Sequence, residues 1–191
     1  NHIAAVWFSD VIGRLANNGI NYVTMYTGYG IDGYSILYPD NETNPTKIMA
    51  RPSYYPLLMY GQYFGDSMIE SSSANESQVS VWASKDSTDP GAIKLMVTNI
   101  SGTAASGKVI LTGIAQGQVN TYQLTSTNPT DTGASSVTMN ASTAINGRKV
   151  DAMNVNASLS QIQPVVSSLN DGQVILSLPA YTTTAVIIRT S

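Results

Sequence analysis

The sequence contains no cysteine and a single histidine, His2. The first absence excludes a disulfide scaffold and a thiolate metal site, and the second removes most of the remaining zinc geometries, so a metal ion would need an all-oxygen site. Charge is also scarce. Asp, Glu, Lys and Arg make up 11% of the 191 residues, less than half of the roughly 25% usual in soluble domains. The nine Lys and Arg are scattered from Arg14 to Arg189, only Arg148 and Lys149 being adjacent, which leaves no basic stripe for a phosphate backbone and argues against nucleic acid as a partner. Long apolar runs are missing as well. Stretches such as Tyr54 to Tyr60 and Ala185 to Ile188 fall far short of the roughly 20 residues that a membrane span requires.

What is there instead is Ser, Thr, Asn and Gly, on a chain that is 42% hydrophobic with a net charge of −3. That length and apolar content support a real core, so global disorder is excluded. A polar surface built with so few charges suits an extracellular protein. Sequons at Asn41, Asn75, Asn99, Asn140 and Asn156 point the same way, while Asn128 is followed by Pro129 and does not qualify. The chain starts at Asn1 with no leader before its first periodic segment. We therefore expect a processed product or a fragment of a secreted protein.

Aromatic residues divide the chain. Nine of the eleven tyrosines, both phenylalanines and Trp7 lie in residues 1 to 65. Ile3, Trp7, Val11 and Leu15 recur every four residues, with Val6 and Ile12 beside them, and predict an amphipathic helix over 3–17 that Asn18-Gly19 ends. Ile20 to Tyr26 is apolar or aromatic at alternate and adjacent positions alike, the pattern of a strand buried on both faces of a parallel sheet. A long Gly- and Pro-punctuated loop, 27–51, precedes a second helix over 53–64, with Pro52 in its first turn.

The small polar segment Glu70-Ser-Ser-Ser-Ala-Asn-Glu-Ser77 reads as a linker. Beyond it, short β-type runs with turn signals recur about every ten residues, at 79–84, 93–100, 107–111, 120–126, 136–139, 162–166, 174–178 and 183–189. They predict an antiparallel β-sandwich. The expected fold class is thus α/β plus all-β, with domains at 1–70 and 71–191.

The order of elements carries more information than any single motif. A helix, a strand ending in Tyr26, a long loop, the run Ala50-Arg-Pro-Ser-Tyr-Tyr-Pro-Leu-Leu-Met-Tyr-Gly-Gln-Tyr-Phe-Gly65 and a sandwich closing on Leu178-Pro-Ala-Tyr-Thr-Thr-Thr-Ala-Val-Ile-Ile188 resemble the end of a retaining clan A glycoside hydrolase. Families 44, 51, 39 and 30 close a (β/α)8 barrel in this way and append a β-sandwich. The resemblance covers nearly the whole chain. It implies that 3–17 is the seventh barrel helix, 20–26 the eighth strand and 53–64 the eighth helix, making residues 1–70 the last βα unit of a TIM barrel. It also implies that the acid/base and the nucleophile, after strands four and seven, precede residue 1. The N-terminal portion of the same enzyme would then be a separate chain and partner, and the substrate a plant-type polysaccharide of the cellulose or hemicellulose kind. No cofactor, metal or membrane span is implied.

Active sites of such barrels sit at the C-terminal ends of the strands, which makes Tyr26, Tyr29, Asp32 and Tyr34 the candidate substrate contacts. A tyrosine ring covers the apolar face of a sugar while its hydroxyl meets a ring hydroxyl. A catalytic carboxylate pair is not expected here. The three glutamates, Glu42, Glu70 and Glu76, lie in loops, and Asp10 is placed to pair with Arg14 one helical turn on. His2 reads as a terminal surface residue, and Trp82 as a sandwich core residue rather than a sugar platform. Gly28-Tyr-Gly-Ile-Asp-Gly33 has the spacing of a dinucleotide loop but opens no helix, so a nucleotide is not expected. Asp86, Asp89 and Asp171 lack the 12-residue ligand loop of a calcium site. The competing function from another class is a noncatalytic carbohydrate-binding or cell-surface module. An autonomous module has no use for the apolar first seventy residues.

Overall fold

The structure, a computed structural model, describes residues 1–25, 27–30, 35–41, 43–128 and 143–190. Two helices form where periodicity requires them. Helix α1 spans His2–Asn17, capped by the Asn1 side chain, which accepts from the Ala4 N–H at 2.9 Å. It stops at Gly19, whose φ of +75° lets the Gly19 and Ile20 N–H groups close back on Ala16 and Leu15. Helix α2 spans Tyr54–Tyr63. Neither is long and apolar enough to cross a membrane.

Between them runs a short hairpin, β1 (Leu37–Pro39) with β2 (Ile48–Ala50). The rest is mainly antiparallel: β3 (Ser67–Ile69), β4 (Val79–Asp86), β5 (Asp89–Asn99), β6 (Ala105–Ile110), β7 (Gly117–Thr125), β8 (Ala144–Ile145), α3 (Val155–Ser160), β9 (Val165–Leu169), β10 (Gln173–Leu178) and β11 (Thr182–Thr190). One seven-stranded sheet runs β3-β4-β5-β11-β7-β8, with β9 also on β7, and β6 pairs with β10 in a sheet of their own.

Alternation along the strands explains the layering. From β11, Val186 and Ile188 enter a core with Leu95, Val97 and Val119 of the same sheet and Val174, Leu176 and Leu178 of β10. Its neighbours Ala185 and Ile187 point the other way, into a core with Trp82, Met96 and Leu124 and with Ala5, Tyr55, Leu58 and Met59 of the helices. The large sheet is therefore buried on both faces, by two strands on one side and by helices on the other. The predicted sandwich exists, but its second sheet has only β6 and β10, and a helical layer is added. Trp82 is buried as expected, but on the helix side of the large sheet rather than in the sandwich core, where Val79 and Val81 point instead.

Three expectations need correction. First, residues 20–25 form no strand: Ile20, Tyr22, Val23 and Met25 are exposed, Tyr22 to 91%. A parallel strand needs neighbours at its edges, and among the described residues none pairs with this segment. Second, α1 buries His2, Ala5, Val6, Ser9, Asp10 and Gly13 against the sheet, while Trp7 of the predicted apolar stripe is 62% exposed. Small side chains let the helix approach closely: a Cβ on Gly13 would stand 2.0 Å from Trp82 Cδ1. Third, the strand foreseen at 162–166 runs over Val165–Leu169, because Ile162 is drawn into the helix-side core after α3. The run at 136–139 lies outside the described residues. Segment 70–77 is a loop joining the paired strands β3 and β4.

His2 is not a surface residue either. Its imidazole is buried, with Nε2 2.8 Å from the Tyr181 carbonyl and Nδ1 3.2 Å from Thr143 Oγ1. The carbonyl can only accept, so Nε2 carries the proton and the neutral ring takes the Thr143 hydroxyl on Nδ1. Desolvation dominates over the Tyr181 hydrogen bond and lowers the pKa from 6.5. In the unfolded chain His2 protonates near its ordinary value while the folded chain still resists, so stability is full above about pH 6.5 and falls as pH drops below it. Thermal unfolding followed from about pH 7.5 to about pH 5 is expected to show this decline. The His2→Gln variant should lose that component of the decline, and an unchanged profile would remove His2 as its source.

Candidate functional site

The candidate site lies in the connection from α1 to α2. After Gly19, residues 20–25 are exposed and carry no regular secondary structure. Thr27 Oγ1 donates to the Tyr29 carbonyl at 3.1 Å, and Tyr29 forms an isolated parallel bridge to Leu37. Two backbone bonds hold this bridge, Gly30 N–H to Leu37 O at 3.1 Å and Leu37 N–H to Gly28 O at 3.0 Å. The Ser35 hydroxyl adds a bond to the Gly30 carbonyl at 2.6 Å. Leu37 itself packs on the helix-side core. Tyr29 is thus fixed through its backbone while its side chain stays half exposed.

Below it, the β1–β2 hairpin is closed by Asp40, which accepts from the Thr46 hydroxyl at 2.6 Å and from the Thr46 and Lys47 N–H groups at 2.8 and 2.9 Å. Led by the Thr46 hydroxyl, these donors favour the carboxylate and lower its pKa to about 2. A depressed carboxyl pKa supports the folded turn above about pH 4 and withdraws that support as pH falls toward about 2. Amide chemical shifts of Thr46 and Lys47 should therefore move with a midpoint near about 2, and the Asp40→Asn variant should lose the transition. Where the hairpin meets α2, the Arg51 guanidinium stacks 4.6 Å above the Tyr38 ring.

Of the four predicted contacts, only Tyr29 falls among the described residues; Tyr26, Asp32 and Tyr34 lie outside them. The described residues therefore hold one of these candidates and no pair. Glu70 and Glu76 are both exposed in the β3–β4 loop, and Glu42 lies outside the described residues. Asp10 is buried and bonded to Arg14 Nε at 2.7 Å, as the spacing predicted. Asp86 pairs with Lys94, whose ammonium, helped by Thr88, holds that carboxyl far below its usual range. Asp89 bonds Arg189 at 2.9 Å. Among the described residues, no cluster of His, Asp and Glu could hold a metal ion. Sequence reasoning missed Tyr22 as an exposed aromatic beside the site, since its apolar neighbours signalled burial.

No protein-family model matches the sequence, and no curated protein matches it. Solved structures of glycoside hydrolases do share its fold. CelM2, a bifunctional glucanase-xylanase from a metagenome library, superposes with a TM-score of 0.62 at 22% identity over 98% of this chain. A family 44 endoglucanase from Clostridium acetobutylium ATCC 824 gives 0.59 at 14% identity over 95%. The catalytic domain of the family 30 xylanase C from Talaromyces cellulolyticus gives 0.59 at 16% over 97%. The chain spans only 28%, 28% and 35% of those three chains.

Proposed function

We propose that this chain is part of a secreted glycoside hydrolase that cleaves plant-type polysaccharide, of the endo-β-1,4-glucanase or hemicellulase kind, by retaining double displacement. The observation that carries the reading is the likeness of nearly the whole chain to about a third of several glycan-cleaving enzymes. On this reading residues 1–70 are the end of a (β/α)8 barrel and 71–191 its C-terminal β-sandwich. Residues 20–26, of which 20–25 pair with no described strand of this chain, become the last barrel strand when the rest of the barrel supplies their neighbours, and Tyr26, Tyr29, Asp32 and Tyr34 meet the sugar at its C-terminal end. Retention needs two carboxyl groups about 5 to 5.5 Å apart. Both glutamates come from the N-terminal portion of the enzyme, a separate chain in the assembly. The exposed sequons at Asn41, Asn75 and Asn156 suit secretion.

The test uses protein isolated from its natural source, weighed intact under native conditions and assayed for reducing-sugar release from soluble β-1,4-glucan and xylan. The reading expects the 20.3 kDa chain to travel with roughly 30 to 50 kDa of further polypeptide, enough for a barrel of about 250 residues, and to hydrolyse one of the two glycans. The Tyr29→Ala change in that assembly should raise KM several-fold and leave kcat nearly unchanged, the signature of a lost ground-state contact. A chain that travels alone and binds glycan without cleaving it is a binding module, and the proposal then fails.

A further inference from the structure

We infer that the open end of the β-sandwich is a binding cleft for an acidic sugar residue, a pyranose ring that carries a carboxylate, presented as a branch of the polysaccharide. The inference rests on the glycan reading above and narrows it, since the substrate class becomes a hemicellulose with uronic acid branches.

The cleft arises because the two sheets end unequally. β6 stops at Ile110 and β10 begins at Gln173, whereas Lys85, Ile93 and Thr190 continue the core-facing rows of β4, β5 and β11 beyond Ala83, Leu95 and Ile188. At that end segment 111–116, which leads from β6 to β7, takes the place of a covering strand. It leaves a cavity of about 510 Å³, within the roughly 300 to 1,000 Å³ of small-ligand sites. This wall is fixed before a ligand arrives. The Leu111 N–H donates to the Gly172 carbonyl and the Gly172 N–H to the Ala115 carbonyl, both at 2.8 Å. Gly172 has a φ of +72°, and a Cβ there would stand 2.8 Å from the Leu111 carbonyl oxygen and 2.9 Å from that of Ile114. Glycine is what lets the staple close.

Two chemistries line the cleft. Pro90, Ile93 and Ile114 supply aliphatic surface, and Lys85, Gln116 and Thr190 supply an ammonium, an amide and a hydroxyl. A few polar groups over an apolar wall match a sugar ring, whose C–H face seeks cover while its hydroxyls seek partners. Charge then selects the kind of sugar. The carboxylates next to the cleft are already paired, Asp86 with Lys94 and Asp89 with Arg189, while Lys85 has no ion-pair partner among the described residues. Its uncommitted ammonium in a concave site favours an anion. One cation is too little for a polyphosphate backbone, and it matches one carboxylate.

Acetylation of lysines by an amine-reactive ester, read by peptide mass spectrometry on the protein from its natural source, tests this. The probe is xylotriose bearing one glucuronic acid branch, compared with unbranched xylotetraose and with acetate. The acidic oligosaccharide is expected to shield Lys85 and to leave Lys108, exposed on the outer face of β6, reacting as before. Half-protection should need about three- to fivefold less of it than of the neutral sugar, the worth of one solvent-accessible ion pair, and the gap should close in about 1 M salt. A Cβ added at Gly91 meets nothing within 4 Å, so Gly91→Leu in the same assembly fills the cleft and should abolish the shielding. Unchanged acetylation of Lys85 overturns the cleft. Equal protection by acetate, or protection that survives Gly91→Leu, overturns it too. Glycan hydrolysis by the same sample keeps the two readings apart: active enzyme with Lys85 unshielded sinks the cleft alone, and Lys85 shielded in a sample that cleaves no glycan sinks the enzyme reading alone.

Discussion

Replacing Asn99 with aspartate destabilises the fold by about 3 to 5 kcal/mol at neutral pH, the range for a buried charge left without a partner. Asn99 is fully buried at the end of β5. Its Nδ2 donates to the carbonyls of Thr103, Leu178 and Pro179 at 2.9, 3.0 and 3.0 Å, and its Oδ1 accepts from the Ser101 N–H at 3.0 Å and hydroxyl at 2.8 Å. One side chain therefore ties the β5–β6 turn to the β10–β11 turn. Aspartate keeps the shape and loses both N–H hydrogens, so an anionic oxygen faces three carbonyls. Burial pushes its pKa up, and the deficit shrinks as pH falls through that raised value, because a protonated carboxyl regains one donor. Urea unfolding at two pH values measures both statements. A cost below about 1 kcal/mol, the worth of one ordinary hydrogen bond, would show that this knot is not what holds the two turns. The same geometry keeps the Asn99 sequon from carrying a glycan in the folded chain, since its nitrogen is committed inside.

The second large effect runs against local propensity. Alanine in place of a mid-helix glycine ordinarily stabilises by about 1 kcal/mol. At Gly13 the new methyl would lie 2.0 Å from Trp82 Cδ1 and 2.4 Å from Cγ and Nε1. The indole is buried on β4 and cannot swing aside, so α1 must shift, at an overpacking cost of about 1 to 3 kcal/mol. We expect a net loss of up to about 2 kcal/mol for Gly13→Ala. In a Trp82→Ala background the sign should reverse, because the obstacle is gone and only the helix gain remains. Denaturant midpoints for the four proteins close this cycle; a Gly13→Ala change that stabilises in both backgrounds refutes the contact.

Much of the local structure was legible. Spacing every four residues placed α1 to within a residue of His2–Asn17, the aromatic and apolar run after Pro52 placed α2 to within a residue of Tyr54–Tyr63, and turn chemistry located β4, β5, β6, β7, β10 and β11 to within a few residues. The i,i+4 pair of Asp10 and Arg14 formed as spacing required. These features depend on neighbours in sequence, which is why one chain read alone reveals them.

The candidate site was less legible. Tyr29 is held half exposed by a bridge to Leu37 and a bond from Thr27, and the first of these comes from eight residues away through a hairpin that composition could not foresee. Residues 20–25 have the side chains of a buried strand, yet pairing depends on edges that no sequence pattern supplies.

By itself, then, the sequence determined the bounds of α1 and α2 and, to within a few residues, of the longer strands, together with the β-rich second half, the burial of Trp82 and the scarcity of groups for metal or phosphate. Only the tertiary structure decided which face of α1 turns inward, that His2 is an interior residue bridging Thr143 and Tyr181, and that β6 and β10 leave the large sheet to form their own. The reason is common to all three. Periodicity ranks the faces of an element by apolarity, but close packing ranks them by fit, and small Gly13 against large Trp82 with an interior hydrogen-bonded imidazole outweighed a more apolar stripe.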